Sequence, residues 1–224
     1  MRQGVEARGR TIEMKKPTNV LFVTGIGTGV GKSVVTGELA RQMRAEGTDA
    51  ITVKMVQTGN DGYSEDIELH RKIMGEVFEE DALGLTAPQI FKYPSSALLA
   101  AELEGRRVDL AAIRRAVRKC ASAHELVMVE SAGGLFVPLT KTKLTIDFAH
   151  DEGWPVLLVT NGTLGSINHT LMSIEALKSR DMKLLAVVYN WAPDVPPEID
   201  ADTPATIKRY LKRWGIQTKR EQSA

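Results

Sequence analysis

Gly25-Ile26-Gly27-Thr28-Gly29-Val30-Gly31-Lys32-Ser33 follows the apolar run Val20-Leu21-Phe22-Val23 and precedes Val35, Leu39 and Met43, spaced four apart. The apolar run has the continuity of a strand buried on both faces. The spacing after the turn marks a helix over residues 32 to about 46, with Gly47 at the place of a helix C-cap. Strand, glycine turn and helix in that order aim successive backbone N–H groups at one point, and the helix N-terminus adds partial positive charge there. Such a turn cradles phosphate. Lys32 is placed to reach β- and γ-phosphates, and the Ser33 hydroxyl to face magnesium. The competing reading, a glycine turn with an ordinary lysine, leaves the conjunction of all four features unexplained. The turn departs from the common spacing of four residues between the first glycine and the Gly-Lys pair. Ile26 stands where that glycine belongs and Gly25 comes one residue early, so the loop is lengthened.

Outward from the turn the pattern repeats. Residues 50–56, 126–129, 156–160 and 184–188 read as further apolar strands. Helical patterns lie between them, over 65–75, from a cap at Ser95 or Ser96 through Leu103, from a cap at Asp109 through Cys120, and over 166–180. Arg114, Arg115, Arg118 and Lys119 fall on the face opposite Ile113, Val117 and Cys120 and read as a solvated surface. Residues 193–204, rich in Pro and Asp, read as a loop before an amphipathic helix over about 205–214. The expected fold class is α/β: a P-loop NTPase-like three-layer fold with a mostly parallel central sheet flanked by helices. Residues 19–214 are expected to form this single domain, with 1–18 a flexible extension and 215–224 a flexible tail. Residues 1–16 carry five basic residues and no hydrophobic centre of a signal peptide, and Met14 is a candidate start.

Composition narrows the function. Lys and Arg total 29 against 28 for Asp and Glu, a balance that gives no electrostatic case for nucleic acid or an anionic membrane as partner. Aromatics at 5% argue against a base-stacking surface. The one cysteine, Cys120, cannot form an internal disulfide, which excludes a disulfide-built secreted module and fits a cytoplasmic location. No apolar run approaches the ~18 residues of a membrane span.

In parallel sheets of this kind ligands bind beyond the carboxyl ends of the strands. The residues there form one chemical set. Lys54 closes the second strand, and a lysine in an apolar strand is costly unless it meets an anion. Two readings are open: a second cation in the phosphate cleft, or a side chain snorkelling to the wet strand end. Thr58 and Gly59 follow with a hydroxyl and a close backbone approach. Asp66 opens the next helix, either as an acid complementing the helix dipole or as a metal ligand. Glu130 ends the third strand, where P-loop proteins keep an acid for magnesium. Ser33, Asp66 and Glu130 make an all-oxygen magnesium site plausible. Gly165, Ser166 and Asn168 open the helix after the fourth strand, and capping alone explains them as well. Asn190 ends the fifth strand, either as a loop amide or as a ligand contact. His70, His124, His150 and His169 are scattered and suggest no zinc site. Asp147 reads as a structural acid.

These motifs, in this order, resemble the dethiobiotin synthetase family: residues 24–33 with the lengthened loop, Lys54-Met-Val-Gln-Thr-Gly59, Ser64-Glu-Asp66, Val129-Glu-Ser-Ala-Gly-Gly134 with Pro138-Leu139, Leu164-Gly-Ser-Ile-Asn-His169, and Asn190. The resemblance covers residues 21–193, most of the chain. It implies an ATP-dependent cyclo-ligase of biotin synthesis. One amine of 7,8-diaminopelargonic acid takes up CO2 as a carbamate, ATP phosphorylates the carbamate, and the second amine closes the ring, releasing ADP and phosphate. It also implies site roles. Lys32 and Lys54 are catalytic. Gly29, Val30, Gly31, Lys32, Ser33, Val34, Asp66, Glu130, Ser131, Ala132, Gly133, Asn190 and Trp191 bind the nucleotide. Ser33, Asp66 and Glu130 hold Mg2+. Thr58 contacts the reacting end of the substrate, while Gly165, Ser166 and Asn168 meet its distal carboxylate from the partner subunit of a homodimer.

Three departures carry expectations. Ser131 replaces the family's glycine after the metal-binding glutamate and is expected to crowd the loop. Pro94-Ser95-Ser96 is followed by Ala97-Leu98, without the family's Pro-His. The family's Gly-x-x-Pro segment after Asn190 is not evident, so looser base selectivity is expected. Two other classes are weighed and set aside. An amide-forming ligase of the cobyrinic acid type needs a glutamine-hydrolysing domain, for which 224 residues leave no room. A partitioning ATPase carries a second lysine in the loop, at the place of Gly27. Lys54→Met is expected to abolish turnover while leaving the fold intact.

Overall fold

The computed structural model describes residues 18–191 and 195–216. The expected N-terminal extension and C-terminal tail lie almost wholly outside the described residues, as does the start of the expected 193–204 loop. Five strands form one parallel sheet: β1 (Val20–Gly25), β2 (Ala50–Lys54), β5 (Leu126–Gly134), β6 (Val156–Asn161) and β7 (Leu184–Asn190), in the spatial order β2-β5-β1-β6-β7. Strand periodicity divides the core in two. Phe22, Val127, Val129, Val156 and Leu158 enter one hydrophobic cluster; the intervening Val23, Met128, Leu157 and Val159 enter another. The sheet is therefore the middle of three layers.

Helices α1 (Lys32–Ala45) and α2 (Glu65–Met74) supply Val35, Ala40 and Met74 to the smaller cluster. Helices α4 (Ala97–Leu103), α5 (Leu110–Ala123), α6 (Thr145–Glu152), α7 (Ser166–Lys178) and α8 (Pro197–Arg213) cover the other face. Caps fix several starts. Ser64, Ser96 and Asp109 accept from the backbone N–H groups of Ile67, Leu99 and Ala112, so Ser96, not Ser95, caps α4. Asp147 accepts from the Leu144 N–H at 3.0 Å and lies 3.5 Å from Arg180, the structural role expected of it.

Three boundaries differ from the sequence reading, and three short elements are added to it. Strand β2 stops at Lys54. Beyond it β3 (Gln57–Thr58) pairs with β4 (Ile90–Phe91) in a small separate parallel sheet, because the 86–91 segment takes over the hydrogen bonding: the Lys54 N–H donates to Thr86 O and the Gln57 N–H to Gln89 O. A short helix α3 (Glu79–Ala82) precedes that segment. Strand β5 does not end at 129 but runs through Glu130 to Gly134, since the charge of Glu130 is paired inside the fold. Helix α8 begins at Pro197, not near 205; Pro197 suits a first helical position, where its missing N–H has no partner to lose, and Pro204 sits within the helix.

Candidate active site

The glycine turn closes onto α1 through Gly31, whose φ of +87° lies in the left-handed region. Asn190, at the end of β7, leans over that glycine and donates from its amide to Val30 O at 3.2 Å. A Cβ at position 31 would collide with this amide, so glycine is required on two counts. The geometry ties the last strand to the phosphate turn and puts Asn190 beside it. Trp191 is half-exposed and stacks edge-on against Tyr189, with ring centroids 5.0 Å apart.

Lys32 leaves the first turn of α1 and curls back, donating to Gly27 O at 2.8 Å. Burial, and then the positive charge of Lys54, push its ammonium down to about 8, with Glu130 and Asp66 opposing. Ser33, the next residue, lies 2.6 Å from Asp66 Oδ1 and 2.9 Å from Glu130 Oε1, so one hydroxyl proton is shared between two carboxylates. Lys54 does not snorkel. It is buried, with Nζ 2.6 Å from Asp66 Oδ2, 2.7 Å from Glu130 Oε1 and donating to Ser131 O at 3.1 Å. Burial works against its charge, but Glu130 and then Asp66 hold it above its ordinary value. Glu130 has no exposed surface at all. Burial again opposes ionisation, yet Lys54 and then His70 hold the carboxyl well below the usual carboxylate range.

These groups face one open cleft of about 770 Å³, lined among others by Gly29, Gly31, Lys32, Ser33, Val34, Lys54, Thr58, Asp66, Glu130, Ala132 and Gly133. The sheet ladder explains the convergence. Lys54 and Glu130 are register partners across β2 and β5, and Glu130 also pairs with Val23 at the end of β1. Asp66 descends from the first turn of α2. Ser131 does not crowd the loop as expected. It is buried, its Oγ 3.1 Å from Thr24 Oγ1 and 2.9 Å from Gly133 O. The hydroxyl is tucked into the strand layer.

Residues 165–168 are not brought to this cleft. Gly165 caps α7 in the left-handed region at φ +93°, Ser166 is buried, and Asn168 is exposed with its amide toward Met172 Sδ at 3.4 Å. Among the described residues they form the start of α7.

The sequence reading missed a buried chain behind Glu130. His70 Nε2 is 2.9 Å from Glu130 Oε2, and His70 Nδ1 is 3.0 Å from Thr52 Oγ1. The Arg71 guanidinium donates to the same Thr52 hydroxyl at 2.7 Å and grips Asp81 with two bonds of 2.8 Å. A signal was present. His70 lies four residues after Asp66, on the same face of α2, and Thr52 lies two before Lys54, on the same side of β2.

A parallel sheet with a glycine turn after its central strand, and lysines, a hydroxyl and carboxylates gathered at its carboxyl end, places the chain among the P-loop NTPases. Comparison with solved structures agrees at the level of fold. The cell division protein FtsY of Thermotoga maritima superposes with a TM-score of 0.54 at 18% identity, covering 93% of this chain and 63% of FtsY. A ParA family ATPase of Chlorobium tepidum superposes with a TM-score of 0.50 at 14% identity, covering 92% of this chain and 85% of that protein.

Sequence comparison is more specific. The AAA domain family model matches residues 19–214. The ATP-dependent dethiobiotin synthetase BioD of Chlorobaculum tepidum is 46% identical over 198 residues, 88% of this chain and 83% of that protein. BioD 2 of Pasteurella multocida is 42% identical over 200 residues, 89% of this chain and 94% of its own. The chain belongs to the dethiobiotin synthetase family.

Proposed function

We propose that this chain makes dethiobiotin from 7,8-diaminopelargonic acid, CO2 and ATP. The observation that carries the reading is the meeting of Lys32 and Lys54 on one cleft with Ser33, Asp66 and Glu130, in a chain of this family. The chemistry is a sequence of three bond-forming steps. An amine nitrogen attacks CO2 and loses a proton, giving a carbamate. A carbamate oxygen attacks the γ-phosphorus, and the bond to the β-phosphate oxygen breaks to release ADP. The second amine attacks the carbonyl carbon of the resulting anhydride, and phosphate leaves as the ring closes.

Two anions must meet in the middle step, and the protein's task is to hold them together. Lys32 leaves the phosphate turn and Lys54 closes β2, and both line the one cleft, so two ammonium groups serve the reacting oxygens. Thr58 lines the same cleft beside Lys54 and positions the reacting amine. Gly29, Gly31 and Gly133 leave backbone free to approach phosphate oxygens, and Asn190, with Trp191 beyond it, borders the base.

The donor set fits magnesium, a hard cation that takes few protein oxygens and keeps several waters. Ser33, Asp66 and Glu130 would hold it; the Ser33 hydroxyl already lies within 2.9 Å of an oxygen of each carboxylate. When bound, the ion neutralises charge on the β- and γ-phosphates. Gly165, Ser166 and Asn168, which are not among the lining of the chain's own cleft, act in a homodimer, where the start of α7 serves the substrate carboxylate of the other subunit. Among the described residues no helix is long and apolar enough to cross a membrane, and we place the reaction in the cytoplasm, with small molecules rather than nucleic acid or membrane as partners.

The test supplies diaminopelargonate, bicarbonate and magnesium ATP and looks for dethiobiotin by mass spectrometry. ATP hydrolysis unresponsive to the diamine and stimulated by DNA would show a partitioning-type ATPase instead.

A further inference from the structure

The carboxylate of Glu130 presents two different oxygens. Oε1 faces the cleft, toward Ser33 and Lys54, while Oε2 points away from it, to His70. What His70 does there follows from donor arithmetic. The Arg71 guanidinium can only donate. It donates to Thr52 Oγ1, so the single proton of that hydroxyl is free to go to the other neighbour, His70 Nδ1. With Nδ1 accepting, the ring's proton sits on Nε2 and is donated to Glu130. The direction of the chain is set at its near end by the Glu130 carboxylate, which when ionised can only accept, and the far end holds Thr52 in place to match it. Asp81 fixes the Arg71 guanidinium with two bonds and is itself held by the Thr86 hydroxyl at 2.7 Å.

We infer that His70 is a positioning residue for the Glu130 carboxylate, held as the Nε2–H tautomer by Thr52 and Arg71, and that it turns Oε1 toward the cation side of the cleft. His70 and Glu130 have no exposed surface and Thr52 none either, so no water competes for these bonds. A buried carboxylate free to rotate would present its oxygens indifferently; one anchored through Oε2 presents Oε1 alone. Outer partners of this kind orient a ligating carboxylate, and their loss typically lowers metal affinity by about 10–100-fold. The inference deepens the proposed magnesium site and rests on it.

The test measures Mn2+ affinity by electron paramagnetic resonance with a non-hydrolysable ATP analogue bound, correcting for the analogue alone. His70→Leu keeps much of the volume and removes the donor; Mn2+ affinity is expected to fall about 10–100-fold. His70→Gln restores an N–H near the place of Nε2 and is expected to recover most of it. Thr52→Val alters no direct bond to Glu130, yet is expected to weaken Mn2+ severalfold, because it removes the hydroxyl that holds the imidazole at Nδ1. If His70→Leu does not fold, His70→Gln and Thr52→Val decide the matter. A purely structural His70 would lower the melting temperature and leave Mn2+ affinity within twofold in every folded variant, and that result overturns the inference alone. A wild-type chain that binds no Mn2+ overturns the metal site as well. Nitrogen-15 resonances of His70 in the metal-free protein give an independent reading: an Nδ1–H tautomer overturns the proposal.

Discussion

Replacing Lys54 with methionine removes an ammonium that touches both Asp66 and Glu130, and its cost can be worked from the burial of what remains. Lys54 is 5% exposed and Glu130 not at all. Breaking a buried pair by deleting one member costs about 3–5 kcal/mol, because a charge is stranded where water cannot reach it. Glu130 keeps Ser33 and His70, so the lower figure applies, about 3 kcal/mol. For a domain of this size each kcal/mol moves the melting temperature by about 2–4 °C, giving a fall of about 6–12 °C. The fold is expected to persist, as the sequence suggests, but with a measurable loss of stability. The decisive comparison is Lys54→Met/Glu130→Gln, which removes both charges. Its loss is expected to be smaller than that of Lys54→Met alone, with a coupling energy of about 2 kcal/mol in the double-mutant cycle. Urea unfolding of the three variants and the wild type, without nucleotide or metal, supplies the four free energies. Additive losses, or a Lys54→Met protein that melts with the wild type, would show that the pair is not a buried ionic unit. Turnover is then assayed at a temperature where Lys54→Met is folded, and is expected to be lost there.

Gly31→Ala should combine a left-handed backbone cost of about 1–2 kcal/mol with displacement of Asn190 from the turn; ATP-analogue affinity is expected to fall at least about tenfold, and an unchanged affinity would refute the double constraint on that position. For Asp81, burial favours the neutral acid, but Arg71 and Thr86 outweigh it and hold the carboxyl below its ordinary 3.8. The stability it contributes is present above that value and is lost as pH falls through the lower folded value. Asp81→Asn should therefore be less stable than wild type by about 1.5–3 kcal/mol at pH 7, and the two unfolding curves should converge in acid; a difference that persists there would contradict the assignment. Mixing Lys54→Met with Asn168→Ala subunits should restore up to about a quarter of wild-type turnover if each site draws on two chains, since half the dimers are mixed and one site in each is whole. No recovery from the mixture would place Asn168 outside the shared site. A panel of nucleoside triphosphates should support turnover with more than one base; strict dependence on ATP would show that Asn190, Trp191 or α8 supplies the selectivity expected to be lacking.

Much of the fold was legible because its signals are local. Apolar runs gave all five strands of the main sheet, and Ser96, Asp109 and Gly31 mark helix starts through chemistry confined to a few neighbouring residues. The misreadings share a cause. The extension of β5 through Glu130 and the early stop of β2 at Lys54 depend on which strand lies alongside, and a pattern of single residues carries no such information. The start of α8 was hidden because proline and aspartate are common both in loops and in a helix's first turn. Thr52, His70, Arg71 and Asp81 look like unrelated polar residues in sequence, and only tertiary placement makes them a chain.

The site depends on the sheet for the same reason. A lysine and a glutamate closing two separate apolar strands are each improbable as core residues. The parallel register sets Lys54 directly opposite Glu130, and each charge makes the other tolerable. A slip of one residue in the pairing of β2 with β5 would turn Lys54 to the opposite face and leave two uncompensated buried charges. The charged pair thus selects the register, and the register in turn presents both side chains to the phosphate turn. Lys54 and Glu130 are needed for chemistry under the proposed function, but their burial makes them specifiers of the fold as well. Substitutions at either position must therefore be read by stability and activity together.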